Sequence, residues 1–401
     1  MNIHKTVAFL ANKLYSFYKM KHQKGAQTME KISMNDIRKK NYSDIYRLIY
    51  QERRISKSKI ASSLEMSLPT VTQHLSALET EGLIEKQGQM ASGIGRKAAA
   101  YSIRPEARVS VGVEVLPDQI TAVVLNLYGE VIGKKEVSLS FSKKDEYFET
   151  LYDTVCELLQ ESKISNDAVL GTGIGMQGLV SEDGQRMLYG KILDCTGLTI
   201  RPLSERFPYP VRLIHDAECA AEIELWRNPE LTDVIYLSLG VHLGGAIIMH
   251  GKIQRGRTGR TGTLEHMTLV EGGRPCYCGK LGCMECYCSV NALLEEGENL
   301  TDFFLELRQG ASRQVRRWMD YLNYLATALN NLHMVLDCTI VLGGHIAPYL
   351  IKQDIDVLFS KLQDCTAFPE EENFICIGTQ ENNAVAAGAA IPFIRTFLEA
   401  I

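Results

Sequence analysis

Apolar positions recur every three or four residues over 42–51, with Ile45, Leu48 and Ile49 on one face, which predicts a first helix. Ser56 is placed to cap a second helix carrying Ile60, Ala61 and Leu64. A short break, EMS, follows. Pro69 suits the first turn of a third helix over 69–81, with Val71, Leu75 and Leu78 at i, i+4 and i+7 and Gly82 at its end. LIEKQ and AAYSI then flank a glycine-rich basic tip, GQMASGIGRK, as the two strands of a hairpin.

From Val109 the pattern changes. VSVGVEV, ITAVVLNL and VIGKKEVSL are three short β-rich runs joined by turns. A helix is expected over 147–160, further strands at VLGTGIGM, VRLIH, VIYLSLG and TIVLGG, and a long helix over 312–336. Strands alternating with helices predict an α/β domain around a largely buried sheet. The organisation is therefore an extension at 1–34 to which no role is assigned, a winged helix-turn-helix at 35–104 and an α/β domain at 105–401.

Charge sharpens this division. Residues 1–108 carry 19 Lys+Arg against 9 Asp+Glu, and the rest carries 24 against 39, so the net charge of −5 conceals a basic head on an acidic body. A basic head favours a polyanion. In helix-turn-helix proteins the second helix of the pair enters the major groove. That places Thr70, Thr72, Gln73, His74 and Ser76 as candidates for reading double-stranded DNA, with Arg96 and Lys97 at the wing tip meeting phosphate or the minor groove. No run of 18 apolar residues exists, and the apolar N-terminal run is broken by Lys13. A cytoplasmic protein with no membrane partner is expected.

The 11 cysteines are clustered. His266, Cys276, Cys278 and Cys283 follow the spacing H-x9-C-x-C-x4-C, within a loop over 266–285. Three thiolates and one imidazole close a tetrahedral zinc site without an open position, so the expected zinc is structural.

These residues resemble the signature of the ROK family (repressors, open reading frames and kinases), G-H-x6-G-x2-C-x-C-G-x2-G-C-x-E. His266, Gly273, Cys276, Cys278, Gly279, Gly282, Cys283 and Glu285 match it, while Glu265 stands where the first glycine belongs. The resemblance covers about 35–401. It implies a two-lobed actin/hexokinase-like fold, and the attached winged helix-turn-helix marks the branch of regulators that control sugar uptake and catabolism. Sugar kinases of the family use an Asn-Asp pair before a helix, with the Asp as base. Here the pair is His215-Asp216. A family Glu three residues before the zinc histidine is replaced by Thr263. The zinc histidine and the Glu after the last cysteine map to His266 and Glu285. The resemblance thus implies an effector set of His215, Asp216, Thr263, His266 and Glu285, with Asp216 a vestigial base. It also implies a probe for kinase activity. The family's D-x-G-G-T becomes Glu114-Val115-Leu116-Pro117-Asp118, and G-T-G-x-G-x-G becomes GVHLGGA at 240–246, while LGG at 342–344 is kept. Proline offers no N–H and bulky side chains keep backbone from phosphate, so no kinase activity and no catalytic residue are expected. The expectation is a homodimeric or larger sugar-responsive repressor binding an operator. The alternatives are an active ATP-dependent sugar kinase with a DNA-binding head, or a regulator governed by a protein partner.

Overall fold

The computed structural model describes residues 33–90, 98–379 and 383–401. They form two compact units. The first holds the chain up to Val109 together with Asn126–Tyr128 and Ile394–Ile401; the second holds Ser110–Leu125 and Gly129–Phe393.

In the first unit, α1 (Met34–Glu52), α2 (Lys57–Ser63) and α3 (Leu68–Thr80) pack with a small sheet in the order β1-β3-β2, formed by Ile55–Ser56, Ala98–Ile103 and Ile84–Met90. Helix α1 begins well before the predicted 42, because Ser33 and Asp36 form a reciprocal capping box. Ser56 and Ser67 accept from the backbone N–H groups of Lys59 and Thr70, setting where α2 and α3 start. Ile45, Ile49, Ile60, Val71 and Leu78 are fully buried and form the centre of this core. The chain's end belongs to the same unit. The Arg47 guanidinium donates to the carbonyls of Leu398 at 3.2 Å and Glu399 at 2.8 Å, capping the last turn of the C-terminal helix.

The second unit contains two five-stranded sheets. One runs β10-β7-β4-β5-β6, from Val211–His215, Val169–Met176, Val109–Val115, Gln119–Asn126 and Val131–Ser138. The other runs β13-β12-β11-β14-β15, from Lys252–Ile253, Leu243–Met249, Val234–Leu239, Thr339–Gly343 and Ile375–Ile377. A two-stranded ribbon, β8 (Leu179–Val180) with β9 (Met187–Tyr189), accompanies them. The strand expected at VLGTGIGM is β7, and its parallel neighbour β10 delivers His215 opposite Met176. The longer helices are α4 (Asp145–Glu161), α5 (Asp216–Arg227), α6 (Leu300–Arg308), α7 (Ser312–His333), α8 (Lys352–Cys365) and α9 (Ala384–Ala400), the last of which passes into the first unit from Ile394 onward. The buried face of α7, through Trp318, Leu322, Leu325 and Leu329, shares one core with Leu237, Leu342 and Leu358. Among the described residues no helix is long and apolar enough to cross a membrane.

Candidate functional site

The recognition helix comes first. In α3, Val71, His74, Leu75 and Leu78 are buried, whereas Thr72, Gln73 and Ser76 are exposed. His74 therefore corrects the sequence reading. It stands three residues after Val71 and one before Leu75, on the inward stripe, and meets the Tyr42 ring edge-on at 6.2 Å. It cannot reach a base edge while the head is folded. Tyr42 also donates its hydroxyl to Glu81 Oε2 at 2.5 Å, fastening α1 to the end of α3. Thr70 is half-buried, its hydroxyl 2.8 Å from that of the cap residue Ser67, and Thr72 donates to Leu68 O at 2.6 Å. Gln73 and Ser76 present their side chains outward. Arg96 and Lys97 lie outside the described residues.

The cysteine loop brings its four expected ligands together. One ring nitrogen of His266 and the Sγ atoms of Cys276, Cys278 and Cys283 all lie within 4.8 Å of one another. Cys276 Sγ is 3.7 Å from His266 Nδ1, and Cys278 Sγ is 3.7 Å from Cys283 Sγ. A Zn–S bond of about 2.3 Å places the corners of a tetrahedron about 3.8 Å apart. The donor set and these two edges fit zinc. Burial pushes the His266 imidazole below its ordinary pKa, favouring the neutral form that a ligand needs. The loop closes tightly through Cys276 N–H to Lys280 O and Gly282 N–H to Arg274 O. Gly282 has φ +77°, and a Cβ there would lie 1.6 Å from Val270 O, so no other residue fits.

The third constellation surrounds the start of α5. Asp216 opens this helix directly after β10, and its Oδ1 accepts from Ala217 N–H at 2.9 Å and lies 3.2 Å from His215 Nε2. Glu114, on β4, is its electrostatic neighbour. Burial, then the Asp216 charge, pushes the Glu114 carboxyl up to about 7. In the same first turn of α5, Glu218 is buried and pairs with Arg255 at 2.8 Å. The single turn Leu264–His266 lies against β12, where Gly245 leaves room: a Cβ there would come within 2.7 Å of Leu264 Cδ1.

The structure distributes the five expected effector residues unevenly. His215, Asp216 and His266 keep side-chain surface, at 14%, 28% and 25% exposure. Thr263 is turned aside, its hydroxyl donating to Arg260 O at 2.8 Å. Glu285 is buried with both oxygens engaged: Oε1 lies 2.8 Å from His242 Nδ1, and Oε2 accepts from Leu243 N–H at 2.6 Å. It anchors the β11–β12 turn to the cysteine loop.

Two residues emerge here that sequence reasoning did not select. Glu265 is buried, its carboxyl pushed up to about 7 by burial, with His215 opposing that rise and Asp216 and Glu285 adding to it. Its only signal in the sequence was the break in the glycine-histidine motif. Tyr277 sets its ring edge-on to both His242 at 5.3 Å and His266 at 5.2 Å. It lies between two metal-loop cysteines, where nothing in its spacing marks it. A separate open recess of about 490 Å³, lined in part by Asp183, Phe207, Tyr209 and Arg212, contains none of these residues.

Comparison with known proteins places these features in context. The ROK family model matches residues 110–395, and a winged helix-turn-helix DNA-binding model matches 43–85. The chain is 26% identical over 278 residues to the xylose repressor of Caldicellulosiruptor bescii, covering 68% of each. In structure it is similar to a ROK family transcriptional regulator described as a homolog of the Escherichia coli MLC protein, with TM-score 0.72 and 20% identity over 91% of this chain and 97% of that one. It is also similar to a ROK family glucokinase from Streptomyces griseus solved with glucose and AMPPNP, with TM-score 0.59 and 23% identity over 70% and 98%. These two likenesses support the fold: a winged helix-turn-helix followed by a sugar-kinase-like α/β domain. With a family model that spans most of its length, the chain is a member of the ROK family.

Proposed function

We propose that this protein is a sugar-responsive DNA-binding repressor of genes for carbohydrate uptake or catabolism. The observation that carries the reading is the presence, in one chain, of a winged helix exposing Gln73 and Ser76 and a ROK domain that keeps Asp216 at a helix start. The xylose repressor named above has the same family domain, which supports a sugar as the effector here.

The protein works in the cytoplasm as a homodimer, whose two heads meet a pseudo-palindromic operator. Gln73 reads base edges, and Thr72, Ser76, Arg96 and Lys97 hold phosphate or groove walls. A sugar bound near His215, Asp216 and His266 changes the affinity of the heads for DNA. His266, Cys276, Cys278 and Cys283 hold a zinc ion that supplies cross-linking of the loop and no chemistry.

The same residues argue against phosphoryl transfer. In the turn that replaces D-x-G-G-T, Leu116 N–H is spent on Gln119 O, Pro117 has no N–H, and the Pro117 and Asp118 carbonyls accept from Phe141 and Leu139. In the turn that replaces the second phosphate loop, His242 is tied to Glu285. Pro117 cannot donate to a phosphate, and Val241 and His242 put bulky side chains where close backbone approach to phosphate is needed, which supports the reading.

The test is fluorescence anisotropy with DNA from upstream of the protein's own gene, alongside a coupled assay for ADP. The reading predicts salt-sensitive binding, a shift in affinity on adding one sugar, and no ADP from any sugar with ATP. Steady turnover of ATP on a monosaccharide, or no DNA binding at low salt, would refute it.

A further inference from the structure

Glu265 Oε2 is buried and has no hydrogen-bond partner among the described residues. The side chain as a whole is only 8% exposed. A carboxylate oxygen shut away from water without a donor is costly, and such a group calls for a ligand that supplies one. Its surroundings say where that ligand lies. Its Oε1 lies 3.8 Å from His266 Nε2, and His215, Asp216 and Glu285 are its electrostatic neighbours.

The adjacent residue adds a donor. His266 directs Nδ1 toward Cys276 Sγ, which leaves Nε2 on the other edge of the ring, 3.8 Å from Glu265 Oε1. A histidine that ligates through Nδ1 carries its proton on Nε2. One N–H donor and one carboxylate acceptor therefore stand side by side. The Tyr277 ring, packed on His266, supplies an apolar wall next to them. Adjacent hydroxyls on a pyranose or furanose ring match this arrangement: one accepts from Nε2–H and the other donates to Oε2. The local charge selects further. Glu114, Asp216 and Glu265 are acidic, and Arg255 is already neutralised by Glu218. Such a site repels an anionic substituent placed on the recognised hydroxyls.

Resting on the sugar-responsive reading above, we propose that Glu265 is an effector contact and a specificity determinant, accepting a hydroxyl of a neutral sugar that presents a free vicinal diol to Glu265 and His266. The carboxylate does from position 265 what Thr263, bonded to its own turn, does not do. Metal loop and effector are joined through neighbouring residues, since the ligand His266 and the acceptor Glu265 are consecutive.

The experiment is calorimetric titration of the full-length, metal-loaded protein with D-xylose, D-glucose, N-acetylglucosamine and glucose 6-phosphate, followed by singly deoxygenated analogues of whichever sugar binds. Glu265→Gln and Glu265→Ala are titrated in parallel, and metal content is measured for each. The expected result is binding of a neutral sugar, weakened about 10- to 100-fold by Glu265→Gln, the range of a charged hydrogen bond. One deoxy analogue should lose a similar factor on the wild type and little more on Glu265→Ala, which is the mark of a direct contact. Losses that simply add, or variants that bind like the wild type, overturn the proposal while leaving the sugar-responsive reading intact. Preference for the phosphate ester overturns the neutral-ligand assignment. A wild type that binds no sugar of the set overturns both.

Discussion

His242 Nδ1 lies 2.8 Å from Glu285 Oε1, so the turn between β11 and β12 is tied to the cysteine loop two residues beyond Cys283. The link gives the β11–β12 turn a structural function. Removing the imidazole leaves Glu285 Oε1 without this partner, while Oε2 still accepts from Leu243 N–H. His242→Ala should destabilise the protein by about 1–3 kcal/mol, the cost of an unsatisfied buried acceptor, measured by urea denaturation. No change in the midpoint would mean that the pair is incidental.

In the proposed function Gln73 is the reader of bases. It sits on α3 outside the buried stripe and is exposed. Gln73→Ala should cost about 1–3 kcal/mol of operator affinity and leave non-specific binding unchanged. Equal losses on operator and random DNA would reassign it to the phosphate backbone.

His74 gives the head a pH dependence. Burial, with Arg38 nearby, holds its pKa below the ordinary 6.5. As pH falls through 6.5 the unfolded chain takes up a proton before the folded one does, so the stability contribution is complete above 6.5 and is lost below it. Melting temperature should therefore drop between pH 7.5 and 5.5, and the drop should shrink in His74→Leu. An unchanged slope in the variant would show that other groups set it.

Gly282 has no tolerance for a side chain, because a Cβ would meet Val270 O at 1.6 Å. Gly282→Ala should lower metal content as far as Cys283→Ala does, and a chelator should lower the melting temperature of the wild type but not of either variant. Full metal loading of Gly282→Ala, read by atomic absorption, would contradict the tight-loop account.

Much of this was legible in the chain. Ser56, Pro69 and Gly82 mark the head's helices because capping is local chemistry. The grouping of His266, Cys276, Cys278 and Cys283 is legible because coordination chemistry favours such a spacing. The start of α1 was not, since 34–41 is polar and the helix is set by the Ser33–Asp36 box. His74 was misread through its polarity, although Val71, His74, Leu75 and Leu78 share the buried stripe. The grouping of 126–128 and 394–401 with the head depends on tertiary packing, which no local pattern carries. Glu265 showed itself only as a break in a motif, and its unpartnered oxygen became visible once the turn 264–266 was seen against β12.

The central claim is that sugar and operator communicate through one molecule, and linkage tests it directly. Binding free energies must couple reciprocally. Titrating the effector sugar into the protein with and without saturating operator DNA should shift the sugar Kd by the same factor by which sugar shifts the operator Kd. For a repressor, both affinities fall together. Equal sugar affinity in the presence and absence of operator would show that the two sites are independent, and the account would fail.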